Sequence, residues 1–249
     1  MDNIRKTFML WIDTNDQPSA ILPMRLANTA PYFIRLTGGA NLMAKSDGER
    51  GIRLLTQALN GFGGVLMSGG ARVFEPTGSG YKPYPTVLEV PPILRKINRN
   101  MITLAICPKM TQMEYSDLGI IVDRNNETGF IAVMQPNQDL WLIQQKNVDQ
   151  VAQRSTEWRE CLELTQVFFA TRDHFGATLI SYNGGDQTSE EISAWASANL
   201  NVILFAGSGR VTDEYCQNRQ WLDAHPSVYV CHDEWEVRQK LISLGGLLG

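Results

Sequence analysis

The residues able to do chemistry gather at the ends of short apolar runs. In one, Asn201-Val202-Ile203-Leu204-Phe205 gives way to Ala206-Gly207-Ser208-Gly209-Arg210 and then to Val211-Thr212-Asp213-Glu214. Glycines there let the main chain approach a ligand and present N–H groups, and the start of a following helix favours an anion. Arg210 adds a planar fork of donors suited to phosphate. Three further runs end alike, at Thr37-Gly38-Gly39, at Gly69-Gly70 with Arg72 just beyond, and at Asn183-Gly184-Gly185. One Gly-x-Gly is equally well a tight turn. Repetition at four run ends is what predicts a phosphate-bearing ligand, held by these residues together with Gly207, Ser208, Gly209 and Arg210.

Other chemistry finds less support. Glu214 is the obvious carboxylate candidate near the turns, as the acid for a hydrolase acting on an N-glycosidic bond. An acidic residue early in a helix is also favoured there by the helix dipole. His174, His225 and His232 share no metal-ligand spacing, and Cys107, Cys161, Cys216 and Cys231 lack C-x-x-C spacing, so buried reduced thiols are expected and neither a metal nor a cofactor is. No turn reads G-x-G-x-x-G and there is no Walker lysine, which disfavours nicotinamide dehydrogenases and P-loop ATPases. Tyr81 is a candidate to stack on a base.

The chain of 249 residues is long enough for one large domain spanning 1–249. A formal charge of -4 gives no general attraction to polyanions, so neither nucleic acid nor an anionic membrane is an expected partner. The opening run from Arg5 to Ile12 stops at Asp13, too short for a signal peptide, and no later run spans a membrane. These features predict a soluble cytoplasmic protein.

The elements that must position the turns follow from periodicity. Residues 1–31 read as a leader crossing the surface, with one strand over 7–12. Strand, glycine turn and helix then alternate: strands at 32–36, 64–68 and 101–107, a helix at 46–61 and a short one at 92–98. The proline- and glycine-broken stretch 73–86 reads as an irregular loop covering a ligand, with Thr86 and Glu89 spaced like a capping box. Residues 109–150 break the rhythm with runs at 118–122, 130–134 and 140–143, read as an inserted hairpin or edge strands. A helix at 155–173, a strand at 177–182, a helix entered through a Thr188 and Glu191 capping box, the strand 201–205 and the strand 228–232 restore it. Asp233 with Glu236 caps the last helix and Gly245 ends it. The expected fold is α/β, doubly wound around a mostly parallel sheet with an inserted β-hairpin, its four glycine turns sharing one crevice.

The segments Phe33 to Asn41, Gly64 to Arg72, Ser181 to Gly185 and Leu204 to Asp213 resemble the SLOG superfamily, which includes the Smf/DprA and LOG proteins. The likeness runs from about residue 32 to 246 and is nearest the LSDAT branch, found at the N-terminus of TRPM-type channels and in bacterial proteins. It implies a Rossmann-like fold and a nucleotide-derived ligand such as ADP-ribose or cyclic ADP-ribose, sensed in channels or in antiphage defence. A sensor without its own effector implies a homo-oligomer or a separate effector protein. LOG enzymes, which release the base from nucleoside 5′-monophosphates, carry PGGxGTxxE. Here Glu214 matches the glutamate spacing, while the proline, the second glycine pair and the threonine are not matched. Two readings stay open, a non-catalytic nucleotide sensor and a LOG-like phosphoribohydrolase using Glu214. DprA-like single-strand binding is disfavoured by the acidic balance.

Overall fold

The computed structural model describes residues 8–12, 32–39, 43–98, 100–108, 114–124, 127–135, 140–144 and 176–247. The first half of the chain runs β1 (Phe8–Ile12), β2 (Tyr32–Gly38), α1 (Lys45–Ala58), β3 (Val65–Ser68), β4 (Arg72–Thr77), β5 (Gly80–Pro83), a 3-10 turn (Val87–Glu89), α2 (Val90–Ile97) and β6 (Ile102–Pro108). It continues through β7 (Glu114–Ser116), β8 (Gly119–Arg124), β9 (Ile131–Met134) and β10 (Leu140–Gln144). The remainder is β11 (Gly176–Tyr182), α3 (Asp186–Ser197), β12 (Asn201–Phe205), α4 (Arg210–Gln217), α5 (Arg219–Ala224), β13 (Val228–Cys231) and α6 (Glu234–Ser243).

Eight strands form one sheet in the order β1-β10-β6-β3-β2-β11-β12-β13, every neighbouring pair parallel. Runs such as Val65-Leu66-Met67-Ser68 are buried at every position, as strands covered on both faces must be. One face packs Ile34, Leu36, Ile180 and Phe205 under Leu55, Leu94 and Leu241 from α1, α2 and α6. The other packs Phe33, Met67, Leu179 and Leu204 under Ile192 and Trp195 of α3, with Val211 and Trp221 from α4 and α5 beside them. Helices on both faces of a parallel sheet make this the doubly wound α/β fold.

The strand expected over 7–12 forms as β1 and pairs in parallel with β10, Phe8 opposite Leu140. Two expectations are corrected. Residues 140–144 are no edge appendage, because β10 lies between β1 and β6. The stretch 73–86 is a hairpin, with Thr77 opposite Gly80 around a two-residue loop. Pro83 lies on the edge strand β5, and Pro76 lies on β4 beyond Phe74, where its pairing with β9 ends. The expected hairpin does form from β8 and β9, and joins β5, β4 and β7 in a separate antiparallel sheet ordered β5-β4-β9-β8-β7.

Two capping readings change as well. Thr86 accepts from the Leu88 N–H to start the 3-10 turn, but Glu89 faces Arg72 instead. The helix expected to be capped by Thr188 begins at Asp186, placing Thr188 and Glu191 inside it. At α6 Asp233 accepts from the Glu236 N–H, and Glu236 accepts from the N–H of His232. The helix expected at 155–173, with Cys161, and His174 beyond it, lies outside the described residues.

Glu191 is buried because Arg35 reaches it from β2. Arg35 Nη2 donates to Glu191 Oε1 at 2.5 Å and Nε to Oε2 at 3.2 Å, while Nη1 is buried without an acceptor among the described residues. Removing one member of such a pair strands the other. Glu191→Ala is expected to lower stability by about 3–5 kcal/mol, and Arg35→Met with Glu191→Leu by much less, as measured by urea unfolding.

Burial pushes the Cys216 thiol up to about 12 and the Cys231 thiol to about 11, and also raises the Tyr32 and Tyr182 hydroxyls. A folded-state pKa above the unfolded value stabilises the fold fully below the unfolded pKa, and that contribution is lost as pH rises through the folded one. Stability is therefore expected to fall from about pH 9 upward, and labelling of Cys216 and Cys231 in the native protein to stay slow at pH 8. A pH series of melting temperatures and a thiol-reagent time course check both.

Candidate functional site

Because the main-sheet strands are parallel, their carboxyl ends lie on one edge. From β2 the chain steps outward to β3 and β6, and from β11 it steps the other way to β12 and β13. The crevice between β2 and β11 is therefore the topological switch point, where open α/β sheets bind ligands.

Thr37, Gly38 and Gly39 end one side of this crevice, and Asn183, Gly184 and Gly185 the other. The two approach closely: a Cβ on Gly38 would lie 2.3 Å from the Tyr182 carbonyl oxygen, and one on Gly39 would lie 2.8 Å from Asn183 Oδ1. Thr37 Oγ1 donates to Thr188 Oγ1 at 3.5 Å, tying β2 to the first turn of α3. The N-cap of α3 is Gly185, so no capping side chain covers its opening N–H groups. Arg210 is exposed, and its guanidinium lies over Gly185, with Nη2 2.8 Å from where a Cβ would stand.

Asn183 joins this end to the turn after β12. Its N–H donates to Ser208 Oγ at 2.8 Å and its Nδ2 to the Ser208 carbonyl at 2.7 Å. Its own carbonyl accepts from Thr212 Oγ1 at 2.5 Å and from the Thr212 N–H at 3.2 Å. With that hydroxyl proton committed, Ser181 Oγ donates to Thr212 Oγ1 at 2.7 Å. Ser208 is thus buried in the lock between two turns.

The Gly207 and Gly209 N–H groups are bound within the chain. Asp213 Oδ1 accepts from Gly207 at 2.7 Å and Oδ2 from Gly209 at 3.0 Å. The Gly207 carbonyl accepts from Arg50 Nη1 at 3.0 Å, so α1 brings a second guanidinium to this edge. Glu214 is exposed on α4, and it is Asp213 whose carboxylate reaches the turn.

Gly69 and Gly70 end β3, on the far side of β2 from β11. The Gly70 N–H donates to Ser68 Oγ at 3.2 Å, and the chain turns directly into β4. Arg72 does not stand open toward a phosphate, since Nε and Nη2 donate to the two Glu89 oxygens at 2.7 Å each and Nη1 to Gln135 at 2.7 Å. The candidate site narrows to Thr37 to Gly39, Asn183 to Gly185 and Gly207 to Arg210. Arg50 and Asp213 were missed: α1 packing brings the first, whereas an acidic residue early in a helix signalled the second. Among the described residues, no group of three or more His, Cys, Asp or Glu is arranged to hold a metal, and no helix is long and apolar enough to cross a membrane.

Sheet order and switch point together define a Rossmann-like, doubly wound α/β domain. No protein-family model matches the sequence, and no curated protein does. Solved structures share the fold. The molybdenum cofactor carrier protein of Chlamydomonas reinhardtii aligns at 14% identity with a TM-score of 0.50, over 86% of this chain and 97% of that one. The molybdenum cofactor binding protein of Rippkaea orientalis aligns at 14% identity with a TM-score of 0.48, over 85% of this chain and 96% of that one.

The glycines of the β11 turn differ in what they tolerate. A Cβ on Gly184, at φ +94°, would fall 2.5 Å from Thr188, whereas one on Gly185 meets the movable end of Arg210. Gly184→Ala is expected to cost roughly 1–3 kcal/mol, and Gly185→Ala less than about 1 kcal/mol. Urea unfolding of the two variants checks the contrast.

Proposed function

We propose that this domain binds a nucleotide-derived small molecule through its phosphate, at the start of α3, and holds it without turning it over. One observation carries the reading. At the switch point, a twelve-residue helix begins with a glycine in place of a capping side chain, and the Arg210 guanidinium lies over that glycine. Helix-start N–H groups with an arginine beside them supply the donors that a phosphate needs.

ADP-ribose and cyclic ADP-ribose are the members of this class suggested by the LSDAT-like segments, and a sensor in signalling or antiphage defence is the matching role. Such a sensor acts through a homo-oligomer or a separate effector. A solved relative in fold is by name a cofactor carrier, in keeping with a domain that retains a small molecule. A cytoplasmic setting fits its free Cys216 and Cys231 thiols.

Catalysis finds weaker support. Glu214 is exposed, and both oxygens of Asp213 accept from backbone N–H groups, which commits Asp213 to its own turn rather than to general acid work.

Arg210→Ala is expected to weaken nucleotide binding by about 1.5–3 kcal/mol, ten- to a hundredfold, without unfolding the protein. Arg210→Lys should restore only part, since a point charge does not reproduce a fork. Calorimetry with a nucleotide panel measures this, and unchanged affinity in Arg210→Ala removes the residue from the site. Chromatography of the same mixtures tests turnover. Release of free base by the wild type, lost in Glu214→Gln with binding kept, replaces the sensor with the LOG-like phosphoribohydrolase.

A further inference from the structure

β13 ends the main sheet, and among the described residues no strand pairs with its outer side. Such an edge is a template for another chain, because its outward N–H and C=O groups lack partners. Ser227 and Cys231 direct their carbonyls to β12, accepting from the Val202 and Ala206 N–H groups at 3.0 and 2.8 Å. The direction of these groups alternates along a strand, so Val228, Val230 and His232 turn theirs outward. Two of those three N–H groups are taken by the chain itself. Val228 donates to the His225 carbonyl at 3.0 Å, and His232 to Glu236 Oε2 at 2.6 Å. The second bond is not ordinary capping. A glutamate at this place in a helix returns to the N–H of the cap residue, here Asp233, whereas Glu236 reaches one residue further back, to the outward donor that follows the strand. On the same strand the Lys240 ammonium lies over Tyr229, 4.1 Å from the centre of its ring.

We infer that Glu236 and Lys240 guard this edge against a second copy of the chain, and that removing them turns β13 into a self-pairing strand. A second copy is the occupant to be kept out, since two identical edges meet about a two-fold axis with the same groups facing each other. An antiparallel pair centred on Val230 would exchange both Val230 bonds, and would then set Val228 of one copy opposite His232 of the other, where the donors are already taken. The Tyr229 side chains of the two copies would become diagonal neighbours on one face, bringing two Lys240 charges together. The four-residue length of β13 adds to the protection. The inference does not depend on the ligand. It assigns any assembly of this chain to other surfaces.

Glu236→Ala combined with Lys240→Ala opens the edge, while Asp233 still caps α6 because it accepts from the main-chain N–H of residue 236. Light scattering over a concentration series and amide hydrogen exchange read the result. In the wild type the His232 amide is expected to exchange slowly, and the Val230 amide fast at every concentration. In the double variant self-association should strengthen about tenfold or more, through one freed hydrogen bond per copy and the loss of a repulsion. Val230 and His232 should then both become protected as concentration rises. Adding Val230→Pro removes the remaining outward donor and should return the protein to the wild-type mass. Fast exchange of His232 in the wild type, or concentration-dependent protection of Val230 there, overturns the inference. So does a folded double variant that keeps the wild-type mass, or association that Val230→Pro leaves intact. If the double variant does not fold, the wild-type exchange pattern decides alone.

Discussion

The edge of the sheet depends on how Asn183 is hydrogen-bonded. Its backbone sits at φ 63°, a left-handed conformation that asparagine tolerates better than most residues. Its Oδ1 accepts from the Gly184 N–H, which fixes the β11 turn, while its N–H and Nδ2 grip Ser208 in the next turn. Its carbonyl takes both the hydroxyl and the N–H of Thr212 in α4. One buried side chain thereby sets the separation of two turns and the start of a helix. Since a buried donor or acceptor left unpaired costs more than a made bond returns, this network is held closed as a unit.

That rigidity determines where charge can stand. Arg50 and Arg210 approach from helices on opposite faces of the sheet, and each lies against a glycine of the locked turns. Asp213 lies three residues beyond Arg210, its charge directed into the turn after β12. The Tyr182 hydroxyl, raised chiefly by burial, feels Arg50 and Arg53 on one side of its balance and Asp47 and Asp213 on the other. Positive and negative groups are thus sorted over a few ångströms of one crevice, although the chain carries a net charge of only -4.

Much of this architecture was legible in the sequence. Runs such as Tyr32 to Leu36 and Asn201 to Phe205 announced buried strands, and the glycines after them announced the edge where they end. Pairing partners were not legible: nothing in Leu140-Trp141-Leu142-Ile143 says that it lies between two parallel strands, since that depends on a crossover distant in sequence. Prolines in 73–86 masked a hairpin, because sequence alone does not tell an edge strand from a loop. At the candidate site, Gly207 to Arg210 announced the turn after β12, but Glu214 drew attention through its spacing while Asp213 beside it makes the bonds. Arg50 gave no signal, for it reaches Gly207 from 157 residues away.

The hairpin of β4 and β5 is attached unevenly. At its root Arg72 forks onto Glu89 and also reaches Gln135, in partly buried surroundings. Further along, Lys45 of α1 and Lys82 meet Glu75 through more exposed ion pairs, at 2.9 and 3.2 Å. Exposed pairs contribute little each and are screened by salt, whereas a forked, sheltered pair is not. The hairpin is therefore built like a cantilever, clamped firmly where it leaves the sheet and only lightly pinned to α1. Ionic strength acts on the pin far more than on the clamp, so raising salt loosens the outer arm against the helix that carries Arg50 while the sheet beneath keeps its shape.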